Sequence, residues 1–176
     1  MAQYWPYYCE ENVWWLASEL GSRRGAALFV SGAQGQVVMT AQRSGAAPGG
    51  VLCWDYHVVL LQRAADGWQV IDPDCTLPGA GEGISLGDYV RASFPPLPEA
   101  WAYCAPLFRA IEAGVFVSTF ASDRRHMRDA DGNWLQPPPP WPCIGAGHTL
   151  EQLNNMSDAD AGPVLSLSEL LAHYRD

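Results

Sequence analysis

The chain has 176 residues, enough for one domain with a substantial core and too few for two, and its 48% hydrophobic content with eight Trp, seven Tyr and five Phe excludes a disordered protein. Its formal charge is −9, from 19 acidic and 10 basic residues, a field that repels a phosphate backbone, so nucleic acid is not an expected partner. All ten basic residues are arginine, which excludes a Schiff-base lysine and a P-loop lysine.

The opening segment MAQYWPYYCEEN has no cationic start followed by an apolar run, and no stretch approaches the roughly 18 apolar residues of a membrane span. Neither export nor a membrane partner is therefore expected, and the cytoplasm is the expected compartment. Cys9, Cys53, Cys75, Cys104 and Cys143 are then expected to be reduced. None stands in a C-x-x-C pair, and the four histidines show no H-E-x-x-H or other metal-ligand spacing, so no metal is expected.

Within CEENVWWLASEL, Val13, Leu16, Ala17 and Leu20 recur at helical spacing and Gly21 offers a stop, which predicts a helix over about 9–20. Glu10 and Glu11 suit the positive end of its dipole. AALFVSG and QVVMTAQ, around Gly32 and Gly35, read as a hairpin. Residues 44–50 read as a loop. VLCWDYHVVLLQR and WQVIDPD, separated by AADG, predict a second hairpin with strands near 51–63 and 67–73. A loop and a short helix near 86–93 follow, ended by PPLPEA. LFRAIEAGVFVSTFAS mixes helix and strand signals. PPPPWPC at 137–143 must be extended, and a Ser at 166 or 168 can cap a closing helix in SLSELLAHY.

Cys9 falls where the first helix begins. Unpaired N–H groups and the helix dipole there stabilise a thiolate, whose parent thiol otherwise titrates near about 8.5, and the same N–H groups can bind an oxyanion. Taken alone, a free cysteine is more often a small buried apolar residue, and His57, inside WDYHVVLL, is on an apolar strand where histidine is usually core. The second hairpin changes that weighting for His57. If AADG is the turn, His57 faces residues near 74, and Asp72 and Asp74 share the near face of their strand. Either carboxylate can orient the imidazole while its other nitrogen faces the thiol. Register alone does not choose between them. His126 reads as solvated among charges, and His148 and His173 have no carboxylate placed by an inferred hairpin.

The segments YCEENVW (8–14), WDYHVVLL (54–61), IDPDCTLP (71–78), FASDRRHM (120–127), GNWLQPPPPWPCI (132–144) and LSLSELL (165–171) together resemble the protein N-terminal glutamine amidohydrolase family, in order and nearly end to end. The middle of the chain, ISLGDYVRASFPPLPEAWAYCAPLF, departs from it most. The resemblance implies a single domain over 1–176 that converts N-terminal glutamine to glutamate with release of ammonia. It implies a three-layer α-β-α sandwich of α/β (α+β) class, similar to transglutaminases and papain-like enzymes, with a mostly antiparallel sheet. It places a catalytic triad on Cys9, His57 and Asp72, leaving Asp74 to support the loop, and requires no cofactor.

A monomer acting on peptides or proteins with N-terminal Gln is expected. Recognition of a free α-ammonium calls for a carboxylate, for which Glu10, Glu11, Asp55 and Asp123 are candidates by position, with Tyr8, Trp54 and Trp141 as candidate walls of a narrow pocket. The competing readings are another Cys/His/Asp hydrolase or acyl transferase of peptidase or transglutaminase type, and a non-catalytic module that binds N-termini.

Overall fold

The structure, a computed structural model, describes residues 4–21, 24–44 and 50–175. The predicted loop at 44–50 falls largely outside them. Helix α1 (Cys9–Glu19) begins at the predicted position and turns Val13 and Ala17 onto the core, with Leu20 just beyond its end. Its first turn is unusual: Glu10, Glu11 and Asn12 are all buried, so their polar groups need partners inside the protein.

Strand β1 (Gly25–Ser31) is buried at every position and is the longest-range organiser of the fold. The other strands are β2 (Val37–Met39), β3 (Leu52–Trp54), β4 (His57–Ala64), β5 (Gly67–Ile71), β6 (Ile84–Ser85), β7 (Leu107–Glu112) and β8 (Leu165–Ser166). Six of them form an antiparallel sheet in the order β6-β5-β4-β1-β7-β8. Alternation sends Ala27, Phe29, Val58 and Leu60 to the face covered by α1 and α3 (Ala113–Thr119). Leu28, Val30, Val59 and Leu61 face the other side, against α2 (Leu86–Ser93) and α5 (Leu167–His173). Each buried Val, Leu or Phe among them contributes about 1.5–3 kcal/mol by leaving water. This is a mixed α+β architecture with helices on both faces.

The β4–β5 hairpin forms as predicted, with Ala64 opposite Gly67 and Leu60 opposite Ile71. The predicted helix at 86–93 is α2, capped by Ser85, and the closing helix α5 is capped by Ser166 in a reciprocal capping box with Glu169. The ambiguous stretch at 107–119 is both elements in succession, β7 and then α3. Two expectations are corrected. Strand β1 does not pair with β2: both of its edges are taken by β4 and β7, and β2 pairs with β3 in a separate two-stranded sheet. At Gly32 the chain leaves the main sheet so tightly that a Cβ would sit 1.9 Å from the Gln36 carbonyl oxygen. The predicted strand at 51–63 is two strands in two sheets, broken at Asp55 and Tyr56, where the Ser31 hydroxyl donates to the Asp55 carbonyl.

On the α1 face, Arg109 of β7 is wholly buried and its guanidinium serves as a hub for the end of α4 (Leu150–Asn154) and the loop that follows it. It donates to the carbonyls of Gln152 (2.9 Å), Leu153 (2.8 Å), Asn155 (3.2 Å), Asp158 and Gly162 (3.4 Å). Replacing it with Met removes the donor to five part-buried carbonyls, so denaturant unfolding of Arg109→Met is expected to show a loss of about 2–3 kcal/mol. A loss below about 1 kcal/mol would show that water replaces the guanidinium at no cost. Among the described residues no helix is long and apolar enough to cross a membrane.

Candidate active site

The chain before α1 is folded back over the helix start. The Asn12 amide accepts from the Trp5 N–H (2.8 Å) and donates to the Trp5 carbonyl (2.9 Å), while Tyr7 takes the left-handed conformation at φ 68°. That turn delivers Tyr8 into the core and Cys9 to the first position of α1. Tyr8 supplies no side-chain cap, so the first-turn N–H groups keep their donor capacity. The Tyr8 hydroxyl donates to the Gln136 carbonyl (3.2 Å), and burial pushes its titration up to about 12.

His57 opens β4 and Asp72 immediately follows β5, so the hairpin brings both to one end of the sheet, opposite the turn. His57 Nε2 lies 3.1 Å from Asp72 Oδ1, with both side chains almost fully buried. This leaves Nδ1 as the imidazole's second working nitrogen. Asp72 is satisfied on every side: Oδ1 also accepts the Asp74 N–H (3.0 Å), and Oδ2 accepts Gln42 Nε2 (3.0 Å) and the Tyr89 hydroxyl (2.9 Å). Burial by itself pushes the Asp72 carboxyl up. The His57 charge, with hydrogen bonds from His57, Gln42 and Tyr89, outweighs it and holds Asp72 below its ordinary 3.8. For His57 burial pushes down, but the Asp72 charge and hydrogen bond prevail and hold it above 6.5.

These two directions fix a pH dependence of stability. Asp72, lowered in the fold, adds stability that is complete above pH 3.8 and is lost as pH falls through its folded value. His57, raised, adds stability that is complete below pH 6.5 and is lost as pH rises through its folded value. The difference in melting temperature between the native protein and Asp72→Asn is therefore expected to be largest from pH 3.8 to 6.5 and to shrink on both sides. A difference that stays flat across both limbs would mean that the two groups do not form a charged pair.

Cys9 and His57 border a common cavity of about 240 Å³, with Tyr7, Trp54, Asp55, Tyr56, Asp74, His126, Met127, Leu135 and Gln136. The Trp54 ring lies parallel to that of His57, at a centroid distance of 6.3 Å. Behind the wall, wholly buried Glu10 accepts from the Tyr56 hydroxyl through Oε2 (3.1 Å), which is also 3.6 Å from Cys9 Sγ, and Oε1 stands 3.3 Å from His126 Nε2. The thiol is held well above its ordinary range, first by burial and then by the charges of Glu10 and Asp74, against a pull down from the Val58 backbone. The thiolate at the helix start is thus opposed by the acidic surroundings, which the helix argument from sequence did not include. Among the described residues no group of three or more His, Cys, Asp or Glu is arranged to hold a metal ion, and all five cysteines are free.

The structure brings Cys9, Trp54, Asp55 and His57 to the cavity wall, with Asp72 directly behind His57 and Glu10 behind Cys9. Four other carboxylate and aromatic candidates, Glu11, Trp141, Asp123 and Tyr8, stand elsewhere. Glu11 is engaged by Arg124 (2.7 and 2.8 Å) and by Trp141 Nε1 (2.6 Å), a clamp that fastens the proline-rich segment to α1. Asp123 is chelated by Arg125 and lies 3.4 Å from His148. Tyr8 is core. His126, expected in solvent, is instead partly buried, borders the cavity and stacks on His148 at 5.4 Å. Its burial comes from contact with Glu10, more than a hundred positions earlier, and the local run of charges gave no sign of it. Gln42 and Tyr89, which fix Asp72, also had no signal in the sequence reading.

A thiol at an uncapped helix start, beside an imidazole oriented by a buried carboxylate, is equipment for acyl transfer through sulfur, the class of cysteine hydrolases and transferases. Sequence comparisons are more specific. The family model described as N-terminal glutamine amidase matches residues 4–174. The chain is 37% identical to the protein N-terminal glutamine amidohydrolase of Arabidopsis thaliana, over 90% of this chain and 77% of that one. It is 35% identical to the Homo sapiens protein of the same name, over 95% of this chain and 85% of that one. For the Danio rerio protein of that name the figures are 33%, 97% and 88%. The chain belongs to the N-terminal glutamine amidase family, as the resemblance read from its motifs implied.

Proposed function

We propose that this chain is a protein N-terminal glutamine amidohydrolase whose nucleophile is Cys9, whose general base is His57 and whose orienting carboxylate is Asp72. The observation that carries the residue roles is the buried His57 Nε2–Asp72 contact at 3.1 Å, which leaves Nδ1 for the thiol bordering the same cavity. The thiol passes its proton to His57, and Sγ attacks Cδ of the glutamine side chain. The oxyanion forms beside the first-turn N–H groups of α1, that of Cys9 among them. His57 returns the proton to the departing nitrogen, the Cδ–N bond breaks, and ammonia leaves a γ-glutamyl thioester. Water, deprotonated by His57, then breaks the Sγ–Cδ bond to give glutamate and the thiol.

The antiparallel sheet with a cysteine-bearing helix on one face supports a transglutaminase or papain-like α-β-α fold; the proposed enzyme works as one domain and as a monomer. Five free cysteines suit the cytoplasm. The test is to incubate Gln-Xaa and acetyl-Gln-Xaa peptides with the protein and weigh the products. A gain of about 1 Da on the free peptide alone, with equimolar ammonia, is expected for exchange of NH2 for OH. A shorter peptide would instead identify a peptidase, an amine adduct a transglutaminase, and equal deamidation of the acetylated peptide would remove the N-terminal specificity.

A further inference from the structure

In a glutamine residue the α-nitrogen is four bonds from Cδ, a reach on the order of 5 Å. Whatever recognises a free N-terminus must therefore border the cavity that holds Cys9. Three carboxylates act on the Cys9 thiol, Glu10, Asp74 and Asp55, and no arginine is among the cavity's lining residues.

The three differ in what their oxygens are already doing. Glu10 is not on the cavity wall: Oε2 accepts from Tyr56 and lies near Cys9 Sγ, and Oε1, 3.3 Å from His126 Nε2 without a hydrogen bond, is wholly buried behind the lining residues. Asp55 borders the cavity but is exposed, and its Oδ1 accepts the Tyr56 N–H (2.9 Å). Asp74 borders the cavity and is only 3% exposed. The Tyr4 hydroxyl, at 2.7 Å, fixes its Oδ1, while its Oδ2 accepts from no group among the described residues. The charged groups around it are committed elsewhere: His57 Nε2 faces Asp72, and Arg43 Nε donates to the Cys75 carbonyl (3.4 Å). Burial pushes its carboxyl up in spite of His57, Tyr4 and Arg43, with the Asp72 charge adding to the rise, as for a carboxylate short of a cation.

We propose that Asp74 receives the α-ammonium of the substrate through its vacant Oδ2, and so is the residue that makes a free N-terminus a requirement. This rests on the amidohydrolase reading above. Tyr4 pre-orients the carboxylate, and the backbone N–H of Asp74, bonded to Asp72 Oδ1, ties the recognition group to the one that steers the base. The arriving ammonium neutralises one of the charges that hold the Cys9 thiol protonated, so correct binding also favours the thiolate.

The test compares a Gln-Xaa peptide with its des-amino analogue, in which hydrogen replaces the α-ammonium, on the native protein and on Asp74→Asn. The native ratio of kcat/KM is expected to be on the order of 10²-fold or more, and to fall towards unity in Asp74→Asn through loss on the Gln peptide. A ratio that survives in Asp74→Asn, including an equal fall on both peptides, overturns the proposal. Ammonia from neither peptide with native protein removes the amidohydrolase reading and the proposal with it. A second measurement avoids the Asp74 variant: in a crystal of Cys9→Ala with a Gln-peptide, the α-nitrogen is expected within hydrogen-bond distance of Asp74 Oδ2. An α-nitrogen seated instead on Asp55 or Glu10 overturns the assignment.

Discussion

Cys9→Ala is expected to lower ammonia release from a Gln-peptide by on the order of 10⁶-fold, the scale at which removing a nucleophile disables an enzyme that acts through it. The fold is expected to persist, because Cys9 only packs against the edge of the α1 core cluster and α1 keeps Val13 and Ala17 on the sheet. Cys9→Ser is a sharper probe. A hydroxyl beside Glu10 and Asp74 meets the same opposing charges as the thiol and starts from a far higher pKa, so His57 cannot ionise it, and it is expected to be nearly as inactive as Ala. Ammonia release and the mass of the product are the measurements. Activity within about tenfold of native in either variant would remove Cys9 from the mechanism.

Asp72→Asn is expected to lower kcat by on the order of 10⁴-fold, since an amide at this position holds the imidazole in the wrong tautomer and gives its cation no counter-charge. Its structural cost differs from that of an isolated triad carboxylate. Oδ2 accepts from both Gln42 and Tyr89; an amide nitrogen there faces the Gln42 donor with a donor of its own. A loss of about 1–3 kcal/mol in stability is expected alongside the catalytic loss. Gln42→Leu or Tyr89→Phe separates the two effects, each removing one donor to Asp72 while leaving the His57 contact. If Asp72→Asn turns over within tenfold of native, His57 does not depend on it.

The parts of the site that were legible in sequence are those carried by local geometry. The β4–β5 hairpin was readable because a short turn between two runs rich in β-branched and aromatic residues fixes register over a short span, and Leu60 indeed faces Ile71. Helix α1 was readable from Val13, Ala17 and Leu20. Pairing between distant strands was not: β1 and β2 are adjacent in sequence, yet β1 is buried on both edges by β4 and β7, a choice made by the whole sheet. Register left Asp72 and Asp74 equivalent, and the resemblance chose Asp72. In space their surroundings differ, Asp72 closed in by Gln42 and Tyr89 and Asp74 open to the cavity. The buried polar first turn of α1 was invisible for the same reason, because Arg124, Trp141 and Tyr56 reach it from distant parts of the chain.

The hairpin that holds His57 and Asp72 together, 15 residues apart, has a bearing on how the enzyme comes into being. Hairpins close in about 1–10 μs, whereas docking a remote helix waits for long loops to close. During synthesis Cys9 emerges before His57, the base proposed for it, so the nascent thiol precedes that partner. With the roles proposed for Cys9 and His57, turnover requires α1 to settle against β4. On that proposal the protein is chemically silent until α1 docks, and recovery of turnover on refolding is a clock for the docking of this helix.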